Sequence, residues 1–361
     1  MSPPQAHLFL LAGQYPDTTH AQTLDAARRY ALAAETANYA GVWIAEHHFI
    51  SYGICPSALT FAAHLLGATS RITVGTAACV LSNRHPVALA EEAVLLDELG
   101  GGRFALGVGR GGPWVDLEVF GTGLDRYTNG FAESVDLLVA WLSGAEEVAG
   151  TGRFPFRPVR VVPRPRRPVP TWIAATSAHT VDLAARHGLP LLLGLHADNT
   201  EKVELLGRYA RVAEEHGHDP STVEHASAHL AYVADTDHDA RTAVRTHLPA
   251  LLRGVDEYVR IDGRPTGGRD HHRYVERLLQ IHPVGAAAYC RERLTEAAAT
   301  TGVRHLLLMV EAGGGRSATL ENIDRLAAQV LTDTVPDQVT PVPRSATGSS
   351  RSRVAENSRA D

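Results

Sequence analysis

Eight times between residues 7 and 331, a short apolar run gives way to a longer stretch whose small and apolar residues recur at helical spacing. The first pair sets the pattern. His7 to Gly13 reads as a strand, and Ala21 to Tyr39 as a helix with Leu24, Ala27, Ala31, Ala34 and Ala37 on one side. The later strands are expected at Gly41–Glu46, Ile72–Leu81, Arg103–Gly109, Thr171–Ala175, Leu189–Leu195, Ala228–Ala234 and Val303–Glu311. Runs such as Val42-Trp43-Ile44 are apolar throughout, as strands buried on both faces are. Helices are expected at Ser57–Ala68, Val87–Leu99 behind Pro86, Tyr127–Leu142, Ala178–His187, Thr200–His216, Asp237–Leu252, Gly285–Ala299 and Ala318–Leu331. Such alternation predicts an α/β fold, a (β/α)8 TIM barrel with insertions, as a single domain over residues 1–335.

A barrel of this kind takes ~250 residues, so a chain of 361 must carry insertions. The loop after Gly109, a hairpin over 151–162 and an irregular, polar segment over 254–280 are the expected places. From Pro336 the chain is rich in Pro, Ser and Arg, which predicts a disordered tail over 336–361.

Charge and cysteine usage narrow the function classes. A net charge of -6 favours neither nucleic acid nor an anionic membrane as partner. No apolar run is long enough to span a bilayer, and the N-terminus lacks the basic and apolar regions of a signal peptide. Cys55, Cys79 and Cys290 are odd in number and far apart, which argues against a disulfide or zinc framework and fits a cytoplasmic protein. Lys202 is the only lysine.

Chemistry in such barrels is done at the carboxyl ends of the strands. The second expected strand ends in Glu46, His47 and His48, a combination suited to proton handling, or else a hydrogen-bonded strand end with no chemistry. Gly107-Val-Gly-Arg-Gly-Gly112 matches Gly-x-Gly-x-x-Gly, but it follows the fourth strand and not the first, so a dinucleotide fold lacks its context. An anion-binding loop with Arg110 is one alternative and a plain connecting loop the other. Thr176, Ser177 and Thr180 open the helix after the fifth strand; they suit a phosphate, although simple capping by Thr176 or Ser177 explains them as well. Gly75-Thr-Ala-Ala78 offers small residues against which a flat ligand, or a neighbouring element, can pack. His216, His218, His225 and His229 are crowded but do not prefigure metal geometry. His85, before Pro86, is placed to reach the mouth.

Beyond these local signals, the succession Glu46-His-His-Phe49, Ala62-Ala-His-Leu-Leu-Gly-Ala-Thr69, Val74-Gly-Thr-Ala-Ala78, His85-Pro86, Leu95-Leu-Asp97, Gly102-Arg-Phe104 and Val119-Phe-Gly121 resembles the luciferase-like flavin monooxygenases, most nearly the bacterial luciferase α subunit. The resemblance continues more thinly to about residue 332 and independently implies a β/α barrel. It implies that His47 is the catalytic histidine, with Glu46 and His48 as orienting neighbours. Ala77-Ala78 corresponds to a cis-linked pair beside the isoalloxazine, Arg110 to an arginine that holds the flavin phosphate, and Ser177 and Thr180 to hydroxyl contacts with it. Gly109 and Thr176 are cofactor-side positions where luciferase has a cysteine and a glutamate. Pro113 and Leu195 stand where it has aromatic residues. Those departures argue against long-chain aldehyde binding and light emission.

The implied activity is a two-component monooxygenase. Reduced FMN is expected from a separate flavin reductase, with O2 as the co-substrate and an apolar organic substrate, in the tailoring of a secondary metabolite such as an antibiotic precursor. A homodimer through the barrel helices is also implied, and no metal. An F420-dependent oxidoreductase on the same barrel and a non-catalytic flavin-binding protein are the alternatives.

Overall fold

The strand–helix alternation produces a ring. In the computed structural model, residues 4–265 and 270–332 are described. The first half runs β1 (Gln5–Leu10), α1 (His20–Thr36), β2 (Gly41–Ile44), α2 (Ala58–Ala68), β3 (Thr73–Thr76), a short β4 (Cys79–Val80), α3 (Pro86–Leu99) and β5 (Phe104–Gly109). An excursion follows, with α4 (Asp116–Val119), α5 (Gly123–Asn129), α6 (Phe131–Leu142) and the antiparallel hairpin of β6 (Glu147–Gly150) and β7 (Phe156–Arg160). The chain then returns through β8 (Thr171–Ala175), α7 (Ala178–Arg186), β9 (Leu191–Leu193), α8 (Asn199–Glu215), β10 (Ala226–Leu230), β11 (Tyr232–Ala234) and α9 (Asp237–Leu252). It closes with α10 (His271–Ile281), β12 (Val284–Ala286), α11 (Ala287–Thr301), β13 (His305–Met309) and α12 (Arg316–Gln329). Strands β1, β2, β3, β5, β8, β9, β10 and β13 pair in that order, all parallel, and β13 returns to β1, so the barrel is closed.

Period-two alternation sorts each strand into an inner and an outer row. Val42 and Ile44 pack outward under the helices, whereas Trp43 and Ala45 face the barrel interior with Phe9, Ala77, Ala105, Trp172, Ala228 and Met309. The same alternation, continued past Ala45, turns Glu46 outward and His47 inward. The wide rings Trp43 and Trp172 meet edge to face at 5.1 Å inside the barrel. Towards the carboxyl ends the inner row shrinks to the small residues Ala45, Ala77, Gly109 and Ala174.

Some sequence expectations need correction. The third strand was expected to reach Leu81, but the chain breaks after Thr76 and resumes as β4 followed by a 3-10 turn over Leu81–Asn83. The seventh divides at Ala231, with β11 leaving the barrel to pair with β12. Gly130 separates α5 from α6 within the span read as a single helix. Residues 254–280 are not irregular throughout: α10 buries Val275, Leu278 and Leu279 on one face. The tail expected over 336–361 lies outside the described residues. Among those described, no helix is long and apolar enough to cross a membrane.

The barrel wall holds several buried histidines. His7 bonds His305 across the lower barrel at 2.9 Å, and the Leu191 N–H donates to His225 Nδ1 at 3.0 Å. His229 and His282 sit beside the buried Lys202, whose ammonium donates to the Ala228 carbonyl at 3.2 Å. Burial holds His7 and His229 well below the ordinary imidazole value, and takes His225 to about 4 and His282 to about 3. Unfolding raises each of these toward ~6.5, so the unfolded chain binds more protons below that pH. Each histidine therefore removes up to ~1.4 kcal/mol of stability per pH unit on acidification, until its folded value is reached. Glu311 works in the opposite sense, because burial lifts its carboxyl to about 7 against the N–H groups that favour its ionised form. The histidines outnumber it, so the melting temperature is expected to fall as pH goes from 7 to 5. A flat profile by scanning calorimetry would contradict their neutral burial.

Candidate active site

The floor of the mouth is built from β3, β5 and β8. The Thr76 hydroxyl donates to the Gly107 carbonyl at 2.8 Å and accepts from its N–H at 2.9 Å, locking β3 to β5. Ala77 donates its N–H to Ile44 at 2.7 Å, and the Ala77–Ala78 peptide is cis. Gly109 faces the methyl groups of both neighbours: a Cβ added there would lie 3.4 Å from Ala174 Cβ and 3.6 Å from Ala78 Cβ. Those are ordinary contact distances, so the glycine leaves a space of about one carbon between two methyls. Ala78, Gly109 and Ala174 together form a shallow, apolar platform.

Arg110 and the Thr176–Ser177 turn leave adjacent strands beside this platform, because β5 pairs with β8 from Leu106↔Thr171 to Val108↔Ile173. The Arg110 guanidinium lies 4.5 Å from the Tyr127 ring centroid, in a cation–π contact from α5. Ser177 is the N-cap of α7, accepting from the Thr180 N–H at 3.5 Å, while the two hydroxyls approach to 3.1 Å. Thr180 is buried and Thr176 is exposed. Capping and phosphate binding do not compete here, since the remaining N–H groups of α7 stay available to an anion.

Glu46, His47 and His48 are neighbours in sequence that divide between two environments. Glu46 is 4% exposed and fully engaged. Its Oε2 accepts from the Ala58 N–H (3.2 Å) and Arg84 (3.0 Å), and its Oε1 accepts from the Val80 N–H (3.1 Å). His48 Nε2 lies 3.5 Å from the same Oε1. Burial alone would raise this carboxyl, but His48, the Arg84 charge and the Val80 N–H outweigh it and hold the group below its usual range. Glu46 therefore ties the end of β2 to β4 and to the start of α2.

His47 points the other way. Its ring meets Tyr52 edge-on at 5.3 Å. Its Nδ1 packs against Gly53, where an added Cβ would come within 2.3 Å of that nitrogen and 2.6 Å of the Leu11 carbonyl. Nδ1 has no hydrogen-bond partner among the described residues. Burial and the nearby His48 pull the imidazole down to about 4 despite the Glu46 charge, so it is neutral at neutral pH. Glu46 and His48 thus act on His47 through their charges and through the backbone.

Several positions at the mouth were not singled out in the sequence. Gly53 and Tyr52 embrace His47, and Arg84 completes the Glu46 site. Glu311, beyond β13, accepts from the Leu11 N–H at 2.6 Å and the Gly13 N–H at 3.1 Å. An interior-facing carboxylate after the last strand was the signal for it. Phe49 and Phe120, 58% and 45% exposed, form an apolar lip with His48, whose ring is 5.0 Å from Phe120. His85, by contrast, is an N-cap: its Nδ1 accepts from the Val87 N–H at 3.3 Å and its ring meets Phe154. Among the described residues no group of three His, Cys, Asp or Glu side chains is arranged to hold a metal.

This mouth can be set beside known proteins. The profile of the family described as luciferase-like monooxygenase matches residues 5–305. The chain belongs to the luciferase-like monooxygenases. An alkanal monooxygenase alpha chain from Photorhabdus luminescens is 31% identical over 330 residues, covering 85% of this chain and 91% of that one. Monooxygenase RslO1 from Streptomyces bottropensis superposes with a TM-score of 0.79 at 22% identity, covering 91% and 99% of the two chains. Two other similar barrels have a TM-score of 0.73 each. The oxygenating constituent of 3,6-diketocamphane monooxygenase from Pseudomonas putida, in complex with FMN, is 18% identical over 91% of this chain and 98% of that one. An F420-dependent secondary alcohol dehydrogenase is 19% identical over 92% and 99%. One of these similar barrels is thus an FMN complex and the other an F420-dependent enzyme, and this chain shares their fold.

Proposed function

We propose that this luciferase-like protein is an FMNH2-dependent two-component monooxygenase that uses O2 to oxygenate an apolar organic substrate. One observation carries the reading. A small-residue platform of Ala78, Gly109 and Ala174 lies between the Arg110 and Ser177 turns, at the mouth into which His47 also faces. The platform suits a flat ring system, with room above Gly109. Arg110 suits the flavin phosphate by its forked donors, and Ser177, Thr180 and the α7 N-terminus suit it by theirs. Thr176, exposed beside them, is a further cofactor-side contact. Reduced flavin supplies the electrons with which one atom of O2 enters the substrate while the other leaves as water.

The chain's own residues orient and tune. Neutral His47, its Nδ1 packed on Gly53, keeps Nε2 as the proton-handling atom. Glu46 and His48 fix the strand end that carries it. Phe49, Phe120 and the apolar inner row favour an apolar substrate. A separate flavin reductase is the source of reduced FMN that we favour, and tailoring of a secondary metabolite is the biological setting. Exposed Leu95 and Leu99 on α3 (50% and 77%) suit pairing of two copies through barrel helices.

The test is an anaerobic titration with reduced FMN followed by 18O2 in the presence of apolar candidate substrates. One labelled oxygen in the product is expected. Arg110→Ala should weaken FMN binding by ~10–100-fold, the range for a charge-assisted hydrogen bond. Unaltered FMN affinity would move the phosphate elsewhere. The F420 barrels favour a second reading, hydride transfer on the same platform. Turnover with reduced F420 in the absence of oxygen would establish it instead. Tight flavin binding with no oxygen consumption for any reductant would indicate a flavin-binding protein without catalysis.

A further inference from the structure

Residues 254–262 form a strap that touches both working loops of the mouth. One edge lies along the loop that begins at Arg110. The Val115 N–H donates to the Val259 carbonyl at 2.9 Å and the Ile261 N–H to the Pro113 carbonyl at 3.0 Å, and Trp114 and Arg260 pair as an antiparallel bridge. Tyr258 stacks on Trp114 with centroids 4.4 Å apart and planes 19° apart. Arg260 lies over the same indole at 5.3 Å and is held by Asp262.

The other edge grips the residues after β2. Glu257 accepts from both the N–H and the hydroxyl of Ser51, each at 2.6 Å. Gly254 packs so closely that an added Cβ would stand 2.2 Å from the Tyr52 nitrogen and 2.7 Å from Ser51 Oγ. From beneath, the Gln14 N–H donates to the Ser51 carbonyl at 3.0 Å. The next two residues are Tyr52 and Gly53, the pair that encloses the His47 ring. A route of direct contacts therefore runs from Trp114 through Tyr258 and Glu257 to Ser51, and from there to the imidazole.

We propose that Glu257 is a positioning residue for His47: it clamps Ser51–Gly53 against the imidazole, and the Tyr258–Arg260 edge of the strap ties that setting to the Arg110 loop. Displacement of either loop is felt at the other, because one short segment is bonded to both. The proposal rests on the proton-handling role of His47, but its structural half is readable without turnover.

The charged and titratable groups facing His47 are Glu46, His48 and Tyr52. This gives the test a discriminating sign. If Glu257 acted on His47 only by its negative charge, removing that charge would lower the histidine's titration midpoint. If Glu257 acts by clamping, its loss admits water to the ring and raises the midpoint toward the ordinary imidazole value.

The experiment is an NMR titration of histidine-labelled full-length chain, with the His47 signal assigned from its loss in His47→Asn. Glu257→Ala is expected to raise the midpoint by about one unit or more. Glu257→Gln keeps a side-chain oxygen for Ser51 and should shift it less. Trp114→Leu removes the Tyr258 stacking and Arg260 contacts at the far edge of the strap and should shift it in the same direction. Should Glu257→Ala fail to fold, Ser51→Ala and Trp114→Leu carry the test. An unmoved or lowered midpoint in the folded variants overturns the proposal. A raised midpoint in Glu257→Ala and Trp114→Leu, together with unchanged turnover in His47→Ala, would keep the clamp and discard the catalytic reading.

Discussion

A His47→Ala chain is expected to bind FMN as the parent does and to lose on the order of 10²–10⁴-fold in substrate oxygenation, the usual range for removing a general acid–base group. Binding is expected to be spared because the contacts of His47 are with Tyr52 and Gly53, whereas the phosphate is assigned to Arg110 and Ser177. Fluorescence titration with FMN and product analysis measure the two halves separately. The pH profile adds a second constraint. His47 is pulled from 6.5 to about 4, chiefly by burial, so its neutral form persists on acidification well below pH 6. Oxygenation controlled by that form should hold between pH 7 and 5 and fall only as the pH approaches 4. A decline centred near 6.5 would point to another group.

Glu46→Ala is expected to destabilise the fold by about 3–5 kcal/mol, as breaking a buried ion pair does by leaving its partner uncompensated. Arg84, the Val80 N–H and the Ala58 N–H would all lose an acceptor. Arg84 keeps 23% of its side chain exposed, which favours the lower end of that range. The pH sign is fixed by the direction of the shift. A carboxyl held below its free value of 4.5 contributes fully above that pH and loses its contribution as the pH falls through the folded value. Urea unfolding at pH 7 and pH 4 should therefore separate parent and variant more at the higher pH. Loss of turnover with no loss of stability would give Glu46 a chemical role that its engaged oxygens do not suggest.

Much of the barrel was legible because its strands are apolar runs and its helices carry strong end signals. Pro86 opens α3, and Ser57 and Ser177 cap α2 and α7. The cis Ala77–Ala78 peptide is present where the family resemblance implied one. What sequence concealed was mostly geometry across distance. Glu46, His47 and His48 read as one cluster, yet alternation sends Glu46 to Arg84 and His47 to Gly53. The α10 helix was hidden among charged residues, although Val275, Leu278 and Leu279 carry its buried stripe. The split at Ala231 follows from β11 finding a partner in β12, more than fifty residues later. No local pattern pairs Trp114 with Tyr258 or Ser51 with Glu257, because such contacts exist only once the ring has closed.

Lys202 is the chain's only lysine, and it is 1% exposed between α8 and β10. Its side chain is thus sealed from reagents that seek primary amines. Lysine-directed cross-linkers, dyes and resins would find no side-chain handle on the folded surface. A search for protein partners of this chain should therefore use carboxyl- or photo-reactive chemistry. Conversely, side-chain amine labelling of Lys202 would be a sensitive report that the wall between α8 and β10 has opened.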